Sequence, residues 1–146
     1  MPKENSLSDY INKSNKITKV FDRKIRISLL SSFTINGLSE ILKVKSAERN
    51  ISCTVYEAPY NQYSQEILNK KSDLYKFLPD MTFLIIDARN IFGEIFRFPY
   101  SISHLERAKI VENKINELKN LLDNYIENSN SKIIVTKLNV PSFSPN

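Results

Sequence analysis

Two hydrophobic patterns alternate along the chain. Short apolar or alternating runs, typical of β-strands, precede longer segments in which apolar residues recur every three or four positions, as on one face of a helix. The patterns predict strands at residues 24–31, 51–57, 82–87 and 132–138, and helices at residues 35–49, 62–78 and 103–128. Strands that alternate with helices in this way predict an α/β domain with a mainly parallel sheet.

The strand sequences also predict where each strand lies in the sheet. The third run is continuously apolar at residues 83–86, which is typical of a central parallel strand covered on both faces. The second run alternates, with Ile51, Cys53 and Val55 on one side, and this pattern favours an edge strand. With right-handed crossovers, these features predict a three-layer α/β/α architecture with the flavodoxin-like strand order 2-1-3-4.

The N-terminal segment differs in composition from the rest of the chain. Residues 1–22 are predicted to form a basic, helical extension, followed by a single α/β domain at residues 23–146. Ser6 and Asp9 have the spacing of a capping box, in which a serine side chain and an acidic side chain satisfy each other's backbone amides. A helix is therefore expected to begin directly after Ser6.

Other helix starts and one long connection can be predicted from local residues. Ser103 and Glu106 have the spacing of a second capping box, at the start of the last helix. Thr34 or Ser32 is expected to cap the helix that follows the first strand. Residues 88–101 are unusually aromatic and are predicted to be a loop that either packs on the domain or forms a docking surface.

The predicted strand order places a crevice at one end of the sheet. In the order 2-1-3-4 the chain reverses direction between strands one and three, and open α/β sheets bind ligands beyond the carboxyl ends of those strands. Polar residues after strand one are therefore expected opposite those after strand three, with the loop after strand two at the border. The candidate ligand-binding residues are Ser31, Ser32, Thr34, Asn36, Tyr60, Asn61, Asp87, Arg89 and Asn90, with Tyr63 beside them.

The formal net charge of +5 is concentrated at the N-terminus. Residues 1–26 carry seven of the 21 basic side chains and three of the 16 acidic ones, so the remainder is nearly neutral. A basic patch with interleaved aromatic residues does not occur in that remainder. Because such a patch is the usual footprint of nucleic-acid binding, we expect no nucleic-acid partner.

Several other classes of protein are disfavoured by composition. No apolar run approaches the roughly 20 residues of a membrane span, and the N-terminus lacks an apolar signal core, so we expect a cytoplasmic protein without a membrane span. Cys53 is the only cysteine, which excludes an internal disulfide. With only Gly37 and Gly93, the chain cannot form a glycine-rich phosphate loop, and neither a cofactor nor a metal site is expected.

Three segments carry a resemblance to a known family: KIRISLLSSFTINGL, YEAPYNQYSQEILNKKSDLYKFLPD and FLIIDAR. They resemble the N-terminal domain of the FkbH-like proteins of the HAD superfamily, over roughly residues 24–140. The resemblance implies a fold similar to that of SGNH-type hydrolases. It also implies a HAD-type domain or an acyl carrier protein as partner, in secondary-metabolite or glycan biosynthesis.

The chain lacks the catalytic signature of the HAD domain itself. Asp87 follows an apolar strand as a HAD nucleophile would, but Arg89 stands where the second Asp of the Asp-x-Asp signature belongs. We therefore interpret this segment as unrelated to phosphoryl transfer.

An SGNH-type esterase needs a serine, an oxyanion donor and a histidine base, because a serine hydroxyl is a weak nucleophile without a base in hydrogen-bond reach. Phe33 stands where the family pattern places the nucleophile, and Ser32 lies one position early. The only histidine, His104, begins the last helix. The leading hypothesis is therefore a non-catalytic or accessory domain that positions a HAD-type domain, an acyl carrier protein or a small polar ligand.

Two alternatives belong to other functional classes. One is a degenerate SGNH-type esterase with Ser32 as nucleophile, Asn90 as oxyanion donor and His104 as base. The other is a receiver-like or flavodoxin-like signalling domain, which the order of elements allows. The acidic pocket that receivers use after strand one is absent, and this disfavours the signalling hypothesis.

Overall fold

A computed structural model describes residues 6–138. Its four strands form one sheet in the order β2-β1-β3-β4, and every pair of neighbours is parallel. The predicted α/β class and strand order are thereby confirmed. In chain order the elements are α1 (Leu7–Asn15), β1 (Arg23–Ser31), α2 (Leu38–Ala47), β2 (Ile51–Glu57), α3 (Tyr63–Leu68), α4 (Asp73–Phe77), β3 (Met81–Ile85), α5 (Ala88–Phe92), α6 (Glu94–Arg97), α7 (His104–Asn128) and β4 (Lys132–Val135).

The helices lie on both sides of the sheet. On one side α2 packs against β2, and α1 packs against α2. On the other side α7 contacts both α3 and α5, and the main apolar core lies beneath these helices. This core consists of Leu30, Ile67, Leu74, Leu84, Ile86, Leu121 and Tyr125.

A chain of hydroxyl groups runs through the core beside these apolar side chains. Thr82 Oγ1 lies 2.5 Å from Ser28 Oγ and 2.5 Å from Tyr125 OH, and Ser129 Oγ donates to Tyr125 OH at 3.3 Å. Ser28, Thr82 and Tyr125 are fully buried. Each of these buried hydroxyls thus has a hydrogen-bond partner, so the free-energy cost of burying an unpaired polar group is avoided.

The predicted helix over residues 62–78 is wrong, because the structure divides it into α3 and α4. The Glu66 carboxylate accepts hydrogen bonds from the Leu74 amide and from the Tyr56 hydroxyl, each at 3.0 Å. Ser72 Oγ donates to the Glu66 carbonyl at 2.7 Å. Glu66 therefore caps α4 from the end of α3, a tertiary cap that favours a turn over a continuous helix.

The predicted cap of α2 is also wrong. Gly37, with φ at 85°, precedes the first helical residue, and neither Thr34 nor Ser32 caps the helix. A Cβ at Gly37 would lie 2.1 Å from Cδ1 of Leu7. The left-handed backbone favours glycine here, and any other residue would also have to displace the exposed Leu7 side chain.

The remaining boundaries follow the predictions with local differences. Both predicted capping boxes are present, at the starts of α1 and α7. The aromatic segment at residues 88–101 contains the short helices α5 and α6 where a loop was predicted. β3 ends at Ile85 and β4 at Val135, each earlier than its apolar pattern suggested.

Candidate functional site

The floor of the predicted crevice is built around Ser32. This residue follows β1 and is fully buried, and its amide donates to the Ile85 carbonyl at 3.1 Å. Its Oγ accepts a hydrogen bond from the Asp87 amide at 2.9 Å, and its carbonyl accepts one from Asn90 Nδ2 at 3.1 Å. The structure therefore brings Ser32, Asp87 and Asn90 together, as the strand order predicts.

Ser31 anchors the other side of the crevice. Its Oγ accepts from the Phe33 amide at 3.1 Å, and its carbonyl accepts from the Asn61 amide at 3.2 Å. Asn61 has a positive φ of 54°, a conformation that asparagine tolerates better than most residues. Ser31 and Asn61 thus lie together, and the loop after β2 borders the crevice as predicted.

Asp87 and Arg89 form an ion pair at the edge of the crevice. Arg89 Nη2 lies 2.5 Å from Asp87 Oδ2, and Arg89 Nε donates to the same carboxylate at 3.0 Å. Asp87 Oδ1 also accepts from the Arg89 amide at 2.8 Å, so the carboxylate caps α5. These hydrogen bonds from Arg89 hold the pKa of Asp87 below its usual range.

Three predicted site residues lie on exposed loops around this centre. Thr34 and Asn36 are exposed between β1 and α2, and Tyr60 is exposed after β2. Thr34 and Asn36 also lie outside the hydrogen bonds that join Ser32, Asp87 and Asn90.

His104 lies elsewhere, as the exposed first residue of α7. It lines a shallow groove of about 490 Å³ together with Arg107, Val111 and Ile115 of the same helix. Arg107 Nη1 donates a hydrogen bond to the Pro99 carbonyl. The hydrogen-bond partners of Ser32 are the Ile85 carbonyl, the Asp87 amide and the Asn90 side chain. None of these groups is a base that could take the proton of the Ser32 hydroxyl.

A cavity of about 430 Å³ lies between α3, α5 and α7. Tyr63 and Ser64 of α3 and Asn90 of α5 line one side of it, and the other polar residues come from α7. The sequence prediction missed these α7 residues because it considered only the apolar stripe of that helix. The spacing of Asn120 and Asn124 could have revealed them. Residues four positions apart lie on the same side of a helix, so this pair predicts a polar patch on α7.

The chemistry around Ser31, Ser32, Asp87 and Asn90 is that of hydroxyls, amides and the Asp87–Arg89 ion pair. Within residues 6–138, no group of three or more His, Cys, Asp or Glu side chains is arranged to hold a metal ion. No helix in the same range combines the length and the apolar character needed to cross a bilayer.

The sequence profile of the family described as FkbH, N-terminal domain, matches residues 26–144. The chain belongs to this family. The match contains β1 from Arg26 onward, the Tyr56–Asp80 segment and β3, which carry most of the resemblance in the sequence. None of the curated proteins matches the chain significantly.

Among solved structures, this FkbH N-terminal domain is similar to the N-terminal part of the protein BF1531 from Bacteroides fragilis, described as containing a phosphatase domain complexed with Mg. The two share 20% sequence identity with a TM-score of 0.69, over 90% of this chain and 32% of that one. At this identity the similarity shows the fold. The chain spans about a third of the length of that protein.

Replacing Ser32 by alanine tests its structural role in this domain. The Asp87 amide would lose the acceptor that holds the end of β3 to the end of β1, so we expect a loss of about 1–3 kcal/mol in the free energy of unfolding. Urea denaturation followed by circular dichroism measures it. Thr34→Ala, at an exposed position nearby, is the control and should change stability by less than about 0.5 kcal/mol. Equal stability of the two variants would contradict the assignment.

Proposed function

We propose that this chain is a non-catalytic accessory domain that positions a HAD-type catalytic domain, in secondary-metabolite or glycan biosynthesis. The observation that carries the proposal is an apolar strip on the sheet, the β3–β4 face, formed by Met81, Phe83, Ile85 and Ile134. Register pairs place Leu29, Phe83 and Ile134 side by side on the face of the sheet that α2 also occupies.

Burial decreases steadily across this face. Leu29 on β1 is 1% exposed, Phe83 on β3 is half-buried, and Ile134 on β4 is 41% exposed. Within residues 6–138, β4 is also an edge strand, and edge strands present backbone groups that can pair with another chain. An apolar face beside an open edge is typical of a protein interaction surface.

Two further observations support an accessory role. The Ser32 hydroxyl is buried and accepts a hydrogen bond from the Asp87 amide. The serine therefore has a structural role that needs no catalytic base. The similar Bacteroides fragilis protein is described as containing a phosphatase domain, and this chain corresponds to 32% of its length. A catalytic domain of the HAD type is therefore the partner that we assign to the β3–β4 face.

The proposal is tested by binding to a separately produced HAD-type domain of an FkbH-family protein, measured by isothermal titration calorimetry. Ile134→Asp places a charge in the centre of the proposed interface, where an unpaired charge loses its hydration on binding, so we expect affinity to fall by about tenfold or more. Ile126→Asp on α7 is the matched control because Ile126 is 62% exposed on the other side of the sheet. Its affinity should equal that of the wild type.

Two results would overturn this function. One is equal weakening by both aspartate variants, or no binding to a HAD-type protein at all. The other is hydrolysis of p-nitrophenyl acetate that Ser32→Ala abolishes while the variant stays folded, because that result would establish the esterase alternative. An acyl carrier protein that binds in place of the HAD-type protein would also replace the partner proposed here.

A further inference from the structure

The cavity between α3, α5 and α7 arises from unequal helix lengths. α7 has 25 residues and is about 37 Å long, whereas α3 has six residues and α5 has five. The two short helices therefore cannot cover the inward face of α7, and only Leu121 and Tyr125 of that helix are buried. The uncovered part of this face leaves a space of about 430 Å³, within the usual size range of small-molecule sites.

The lining of this cavity combines amide groups with an apolar floor. Asn90, Asn120 and Asn124 contribute three side-chain amides, and each amide can donate and accept hydrogen bonds. Leu118 and Leu121 supply apolar surface between them. Hydroxyl groups, like amides, both donate and accept, so this lining suits a ligand that carries several hydroxyls on a carbon framework.

The charges of the cavity cancel each other. Lys114 Nζ lies 2.7 Å from Glu117 Oε2, so the only two charged residues of the lining form an ion pair with each other. An anionic or cationic ligand gains little net attraction and would have to compete with this pair. A neutral ligand can accept from the ammonium and donate to the carboxylate without disturbing the balance.

We propose that the cavity lined by Tyr63, Asn90, Lys114, Glu117, Asn120 and Asn124 binds a neutral monosaccharide. The amides and the ion pair hydrogen-bond to the hydroxyls of the sugar, and the ring of Tyr63 with Leu118 and Leu121 contacts its carbon–hydrogen faces. This site lies on the α7 side of the sheet, away from the β3–β4 face, and does not depend on the docking proposed there. Its occupant would also touch Asn90, whose Nδ2 holds the carbonyl of Ser32.

Titration of the whole chain with D-glucose, D-galactose and D-mannose, followed by two-dimensional NMR, tests this site. We expect at least one of these sugars to give saturable shifts of the side-chain amide signals of Asn120 and Asn124. Glucuronate and glucosamine, which add one negative or one positive charge, should bind less tightly than the neutral sugar. Binding of none of the three neutral sugars, or tighter binding of a charged analogue, would overturn the proposal.

Alanine variants on α7 locate the binding. Asn120→Ala and Asn124→Ala remove one amide each, and each should lower the affinity for the neutral sugar by about tenfold or more. Asn113→Ala is the matched control, because Asn113 is exposed on the same helix and does not line the cavity. Alanine favours helix at all three positions, so the fold is preserved in each variant. Equal weakening by Asn113→Ala, or unchanged affinity in both cavity variants, would show that the sugar binds elsewhere.

Discussion

Replacing Leu84 by alanine is expected to lower the free energy of unfolding by about 2–5 kcal/mol. Leu84 is fully buried in β3, between β1 and β4, and belongs to the main apolar core. Its neighbours lie on rigid strands and on α7, so they can close only part of the cavity that the truncation leaves. Urea denaturation should show a lower midpoint with an unchanged slope.

Val135→Ala provides the control for this core substitution. Val135 is the register partner of Leu84 on β4, but it is 37% exposed. The same kind of truncation at this site removes less buried surface and should cost about 1 kcal/mol or less. If the two variants lost the same stability, Leu84 would not lie at the centre of the core.

Replacing Thr82 by valine should cost about 1–3 kcal/mol for each hydroxyl that it leaves without its partner. Thr82 Oγ1 joins Ser28 Oγ to Tyr125 OH, and all three groups are buried. Valine has the shape of threonine and favours strands, so the loss would come from the missing hydroxyl. Thermal and urea unfolding measure the change.

A triple variant separates hydrogen bonding from packing in this hydroxyl chain. Ser28→Ala, Thr82→Val and Tyr125→Phe together remove the three hydroxyls with little change in volume. Because no buried hydroxyl is left unpaired among these three positions, the triple variant should be more stable than Thr82→Val alone. A triple variant less stable than the single one would show that the network itself contributes most of the stability.

Much of the fold could be predicted because it depends on local patterns. The apolar runs at the strands, the helical spacing of α7 and the capping boxes at Ser6 and Ser103 are each encoded within a few neighbouring residues. The strand order follows from chain connectivity and crossover handedness, which also placed Ser32 near Asp87 and Asn90.

Two of the failed predictions, the single helix over residues 62–78 and the side-chain cap of α2, depend on contacts between different elements. Glu66 ends α3 by capping α4 and by accepting from Tyr56 on β2. Gly37 takes the N-cap position of α2 and lies against Leu7 of α1. Neither contact is visible in a local pattern, since each depends on how the elements pack.

The sequence by itself therefore determined the alternation of strands and helices, the order of the sheet, the membership of a family and the proximity of Ser32 to Asp87 and Asn90. Only the tertiary structure decided how the polar residues are used. In the structure the Ser32 hydroxyl accepts a hydrogen bond from the Asp87 amide, the apolar strip at β3 and β4 is only partly buried, and a cavity lies beside Asn120 and Asn124. The physical reason is that hydrogen-bond partners and uncovered surfaces depend on the lengths and packing of neighbouring elements, which residue periodicity does not specify.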